Sequence, residues 1–199
     1  TPTAAAPKVP DSLKTDGYYY YGLDNTKPLT YSVTNEGKTT DGVQTTQLKS
    51  ADKDAVFAIS RTGSLTDMGD EDLLVKADGV YLTRSTWGPV EPMMKSLPDK
   101  MTEGATWKTS SSMKGVDDRT TILEATWTIG KAEKLKVEAG EFDTVKVTGV
   151  GTLTVDKVPH PLNAEGWYTK PLGAVRLIVN VKDDQGKDKK SVVELKKVG

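Results

Sequence analysis

Cysteine is absent from the 199 residues. That excludes disulfides, thiolate metal sites and a cysteine nucleophile. Histidine is nearly absent too. With His160 alone, zinc and copper sites built on a histidine pair are excluded. Arginine is scarce: among 27 basic residues only Arg61, Arg84, Arg119 and Arg176 offer a bidentate grip on phosphate or carboxylate. Charge of one sign is lacking as well. The 27 basic and 28 acidic residues are interleaved and leave a net charge of −1, so a nucleic-acid partner is not expected. No stretch approaches the roughly 20 apolar residues of a membrane-spanning helix. No signal peptide is visible, so the chain reads as cytosolic or already processed. A lipoprotein whose acylated Cys lies upstream of Thr1 would also read as cysteine-free. G-x-S-x-G, P-loop, G-x-G-x-x-G and H-E-x-x-H patterns are all missing.

What is present is alternation. Leu123, Ala125, Trp127 and Ile129 oppose Glu124, Thr126 and Thr128. Val145, Val147, Leu153 and Val155 oppose Lys146, Thr148, Thr152 and Thr154. Val175, Leu177, Val179 and Val181 repeat the pattern. Period two over such lengths marks half-buried strands, and the wealth of Thr, Val and Tyr agrees. Further strands are expected near 18–22, 29–34, 43–49, 55–61, 72–76, 80–86, 105–110, 133–138 and 191–197. Asn35-Glu36-Gly37, Asp41-Gly42, Asp78-Gly79 and Asp183-Asp184-Gln185-Gly186 supply turns, and their short spacing predicts an antiparallel meander. Hydrophobic residues make up 36% of the chain, which suits a sheet with one wet face better than an α/β enzyme. Residues 1–15, rich in Pro and small side chains, read as a flexible tether. Residues 16–199 read as one antiparallel β domain. The expected fold is a strongly curved sheet, a half-barrel or open barrel, with a β-sandwich as the alternative. Strands as long as 143–156 favour the curled wall.

The segment Trp87–Gly104 breaks the regular spacing. It holds three prolines and three methionines, exceeds a hairpin turn and reads as a functional loop with a short helix at 91–97. Trp87, Trp107 and Trp127 each follow a Thr, twenty residues apart. One hairpin per interval would return each to the same edge of a sheet.

Other candidates each have a plainer reading. His160, in Val158-Pro159-His160-Pro161, reads as an exposed loop residue. Asp67-Met68-Gly69-Asp70-Glu71-Asp72 offers hard oxygens for calcium, without EF-hand spacing, and reads as a solvated turn. Ser50/Lys53 and Ser111/Lys114 match S-x-x-K but lack the helix and partner motifs of that chemistry. Tyr18–Tyr21, taken as a strand, would place two rings on each face, as a partner platform or as core packing.

Four segments carry a resemblance. Ala139-Gly140-Glu141-Phe142-Asp143-Thr144-Val145-Lys146-Val147 and Gly166-Trp167-Tyr168-Thr169-Lys170-Pro171-Leu172-Gly173-Ala174-Val175 match paired strands followed by a last strand ending in Glu194-Leu195. Leu97 to Trp107 resembles an L-P-hydrophobic-x-x-G-x-x-W entry to a central strand, and Thr30-Tyr31-Ser32-Val33 an early T-Y-x-V strand. On these the chain resembles an uncharacterised family of bacterial secreted proteins and lipoproteins, similar in architecture to lipoprotein-carrier half-barrels. The resemblance implies a sheet curled round an apolar concavity and an address in the bacterial cell envelope. It implies no catalytic residue, cofactor or metal.

The expected function is therefore a non-catalytic envelope module that binds a lipid, another apolar ligand or a protein partner in the concavity. It would associate peripherally with the membrane through its tether. Trp87, Met93, Met94, Trp107 and Trp127 are the candidate ligand-binding residues, with 87–104 as a gate of adaptable Met side chains. A carrier of this kind predicts a closed apolar cavity of several hundred Å3. The alternative is a structural subunit of a surface-layer or envelope assembly using strand edges and the Tyr18–Tyr21 strand.

Overall fold

The alternation seen in the sequence becomes a wall. In the computed structural model, which describes residues 7–115, 118–182 and 185–199, twelve antiparallel strands form a closed barrel. They are β1 (Leu29–Asn35), β2 (Lys38–Ala51), β3 (Ala55–Gly63), β4 (Glu71–Lys76), β5 (Gly79–Ser85) and β6 (Gly88–Pro98). Then come β7 (Thr106–Lys114), β8 (Thr120–Val137), β9 (Gly140–Val155), β10 (Val158–Thr169), β11 (Gly173–Lys182) and β12 (Asp188–Val198). Each strand pairs with its sequence neighbour, as a meander requires. Thr1–Ala6 of the expected tether and Asp183-Asp184 of the last turn lie outside the described residues.

The expected half-barrel or open barrel is corrected to a closed one, and the sandwich alternative is not adopted. Closure comes from β1. One edge pairs with β2, Tyr31 opposite Gly42, and the other with β12, Tyr31 opposite Leu195 and Val33 opposite Val193. A closed meander leaves no free terminal edge. The inner face follows the predicted parity. Leu123, Ala125, Trp127 and Ile129 of β8 stand opposite Leu153, Gly151, Gly149 and Val147 of β9.

Tyr18–Tyr21 do not form a strand. Asp16–Tyr20 is a short helix, α1, whose first turn is capped by Thr15 Oγ1 accepting from Tyr18 N at 3.4 Å. Five residues cannot hold a helix alone. Here Asp16 N donates to Asp99 O at 2.9 Å and the Asp16 carboxylate meets Lys170 Nζ at 2.6 Å. Gly17 rests on β6 so closely that a Cβ would lie 2.2 Å from Pro98 O. The helix touches β5 and β6 on one side and β10 and β11 across the ring, so it stoppers one end of the barrel. Val9 and Leu13, inside the segment expected as tether, pack with Tyr18 against Phe57, Val75 and Val80. The packed body thus begins before Asp16.

The expected 87–104 loop with its 91–97 helix is also corrected: Gly88–Pro98 is strand β6. It is a poorly paired strand. β6 and β7 share only the register pairs Val90–Met113 and Glu91–Ser112. Pro92 has no N–H to continue the ladder, and bulges disturb the β5 side at Val80/Tyr81 and Leu82/Arg84. The wall therefore has a loosely bonded seam from Pro92 onward.

Candidate functional site

The barrel interior is filled near α1 and at the opposite end, where the β3–β4 connection tucks Leu65 among Tyr31, Val33 and Val193. Between them lies a cavity of about 200 Å3. Its apolar side is formed by Leu82, Met94, Trp127, Val147, Leu177 and Val193. Two glycines make room for its rings. A Cβ at Gly149 would lie 2.3 Å from Trp127 Cζ3, and one at Gly166 would lie 2.6 Å from Tyr168 Cε2. The cavity is smaller than the several hundred Å3 expected, because the stopper and the Leu65 loop occupy the lumen.

The other side of the cavity is polar. Arg61 continues the inward row Ala55-Phe57-Ile59, and Glu71 begins the inward row Glu71-Leu73-Val75. Arg61 is buried and Glu71 half-buried, and they form an ion pair at 3.0 Å. Arg61 Nε donates to Gln44 Oε1 at 3.0 Å and Nη1 to Gly69 O at 2.6 Å. Tyr21, at the end of α1, donates its hydroxyl to Glu71 Oε2 at 3.2 Å. Tyr31 donates to Ala174 O at 2.9 Å. Such a pair is retained in a low-dielectric interior only when its remaining hydrogen-bonding capacity is met.

The tyrosines are correspondingly weak acids. Burial, followed by the nearby Glu71 charge, pushes Tyr168 up to about 12 and holds Tyr21 well above the usual phenol range. Burial also raises Tyr31, against the opposing pull of Arg61. For Arg61 burial works against the charge, but Glu71, Tyr21 and Tyr31 outweigh it and its pKa lies above normal.

The five residues singled out in the sequence are dispersed. Met94 and Trp127 line the cavity. Trp107 lies outside that lining, yet it is the register partner of Trp127 and stacks on it, with ring centroids 6.2 Å apart. Met93 is exposed on β6, and Trp87 is 49% exposed in the β5–β6 turn at the barrel end away from α1. The twenty-residue spacing thus brings together two tryptophans, and the third stands apart.

The remaining candidates resolve differently. His160 sits in β10, 9% exposed, with Nδ1 2.8 Å from Lys182 O, which corrects the exposed-loop expectation. In the acidic run, Asp70 Oδ1 accepts from Arg61 N at 2.8 Å, Glu71 pairs with Arg61 and Asp72 approaches Arg84 at 3.5 Å. Among the described residues no cluster of metal-ligating side chains forms. Ser111 is buried within the barrel, while Lys114 is exposed and pairs with Asp118 at 2.9 Å. Sequence reasoning missed Gln44, Arg61, Glu71 and Tyr168. The available signal was a charged residue continuing an apolar period-two row, as at Arg61 and Glu71.

The arrangement defines a class: a closed antiparallel meander barrel with a helical stopper and a small, partly polar internal cavity. Two solved structures share the fold. One is a "putative lipoprotein" from Parabacteroides distasonis, 12% identical, with a TM-score of 0.62 over 92% of this chain and 100% of that one. The other is a "putative exported protein with YmcC-like fold" from Bacteroides fragilis, 13% identical, with a TM-score of 0.60 over 92% of this chain and 99% of that one. No family model matches the chain, and no curated protein matches its sequence.

Proposed function

We propose that this chain is a non-catalytic module of the bacterial cell envelope that holds a small apolar ligand inside its barrel. The observation that carries this reading is the internal cavity bounded by Trp127, Met94 and Leu82. An apolar void in a packed interior forfeits dispersion contacts that a guest restores. At about 200 Å3 it holds only part of a lipid, so the guest is a small molecule or the tip of a larger one. The two fold neighbours, described as a lipoprotein and an exported protein, support the envelope address. Peripheral attachment to a membrane through the segment before Val9 belongs to the same proposal.

The assembly-subunit alternative no longer draws on a Tyr18–Tyr21 strand or a free terminal edge, since Tyr18–Tyr21 lie in the stopper and its end and the barrel closes on itself. Nitrogen–proton correlation spectra titrated with ethylbenzene test the binding reading. Shifts confined to amides around the cavity, such as Ala174 and Val193, are expected. A spectrum unchanged at saturating ethylbenzene would discard it.

A further inference from the structure

Resting on the cavity-binding reading, we infer that the natural ligand is a neutral molecule of about ten non-hydrogen atoms, with an apolar body and one hydrogen-bond-accepting oxygen.

Size follows from volume. The cavity of about 200 Å3 equals several water molecules at roughly 30 Å3 each in the liquid, so it matches one ring with a short substituent. The apolar body follows from the wall. Trp127 is pinned across Gly149 and backed by the stacked Trp107, so a flat, rigid surface is offered beside Leu82 and Met94.

The accepting oxygen follows from which polar groups are already used. Tyr21 and Tyr31 both donate within the protein. Gln44 directs its amide oxygen to Arg61. Tyr168 and Gln44 both line the cavity, and neither the Tyr168 hydroxyl nor the Gln44 amide N–H groups donate a hydrogen bond to another described residue. No fully buried polar side-chain atom among those residues lacks a partner, so neither donor is sealed off by protein. Two neutral donors in an apolar setting select a carbonyl, ether or hydroxyl oxygen.

Neutrality follows from charge. Arg61 is matched by Glu71, so the polar wall carries no net charge. The Lys95 ammonium is held by Asp78 at 3.1 Å and donates to its backbone carbonyl. Tyr168 feels the Glu71 carboxylate, which already disfavours its own ionised form. A carboxylate placed at Tyr168 would meet the same repulsion and lose its hydration as well.

Three probes of nearly equal shape separate these features: acetophenone, ethylbenzene and benzoate, titrated at neutral pH and followed by the cavity amides. Acetophenone is expected to bind about five- to tenfold more tightly than ethylbenzene, the usual worth of one well-made hydrogen bond, and benzoate most weakly. Tyr168→Phe should weaken acetophenone binding more than ethylbenzene binding and so narrow the ketone's advantage. Equal affinity for acetophenone and ethylbenzene, or benzoate binding as tightly as the ketone, overturns this inference and leaves the cavity-binding reading standing. Failure of both uncharged probes to shift the cavity amides overturns both.

Discussion

Trp107 donates its indole N–H to the carbonyl of Lys95 at 3.0 Å, across the seam where β6 and β7 otherwise share two register pairs. A side chain thus replaces a rung of the missing ladder. The same ring stacks on Trp127, so the seam and the cavity wall are joined through one residue. Gly88–Pro98, within the 87–104 segment read as a gate in the sequence, is a strand held shut from the β7 side.

Trp107→Phe keeps a ring against Trp127 and deletes the N–H. Hydrogen exchange is expected to quicken at amides of Met93–Leu97 and Lys108–Ser111, with other strands unaffected. Urea unfolding should show a loss of about 0.5–1.5 kcal/mol, one hydrogen bond's worth. Unchanged exchange along both strands would mean that the indole bond does not hold the seam.

The Arg61–Glu71 pair is the second device that only the fold reveals. Arg61→Met leaves Glu71 charged in the interior and strips the bonds to Gln44 and Gly69, a change expected to cost about 3–5 kcal/mol. Arg61→Met with Glu71→Leu removes both charges and should recover most of that loss. Denaturant midpoints of the two variants decide. A double variant no more stable than the single would show that the ion pair is not what makes Arg61 matter.

Much of this architecture was legible in the sequence, for a physical reason. Strand parity is local: Leu123 to Ile129 and Val175 to Leu177 state their inner face without reference to any other segment. Closure was not legible. It depends on β1 finding β12, a pairing of residues about 160 apart such as Ser32 with Glu194, and nothing local to either strand announces it. Tyr18–Tyr21 misled because four aromatic residues carry strand propensity, whereas Thr15, Asp16 and the docking of Gly17 on Pro98 decide for helix. Val9 and Leu13 were overlooked because two apolar residues in a Pro-rich stretch show no period.

Leu13→Ala tests that last point. Leu13 is 3% exposed and packs into the same core as Tyr18 and Phe57, so truncation is expected to cost about 2–5 kcal/mol. A residue in a free tether would cost almost nothing. Thermal unfolding of the variant distinguishes the two, and a Tm equal to that of the parent would return residues up to Lys14 to the tether.

The tyrosines set the alkaline limit. The Tyr168 phenol has an ordinary value of 10.0 and is pushed up to about 12 by burial and Glu71, with Tyr18, Tyr21 and Tyr31 raised as well. A phenol whose pKa is higher folded than unfolded binds its proton more tightly in the native state. Its contribution to stability is complete below pH 10 and is lost as pH rises toward 12. Stability should therefore fall steeply through that window. Tyr168→Phe should flatten the fall, since one raised group is gone. Ultraviolet titration should find these four ionising only as the barrel unfolds. If all seven ionised together near pH 10 with the fold intact, the buried, Glu71-facing environment of the cavity tyrosines would be wrong.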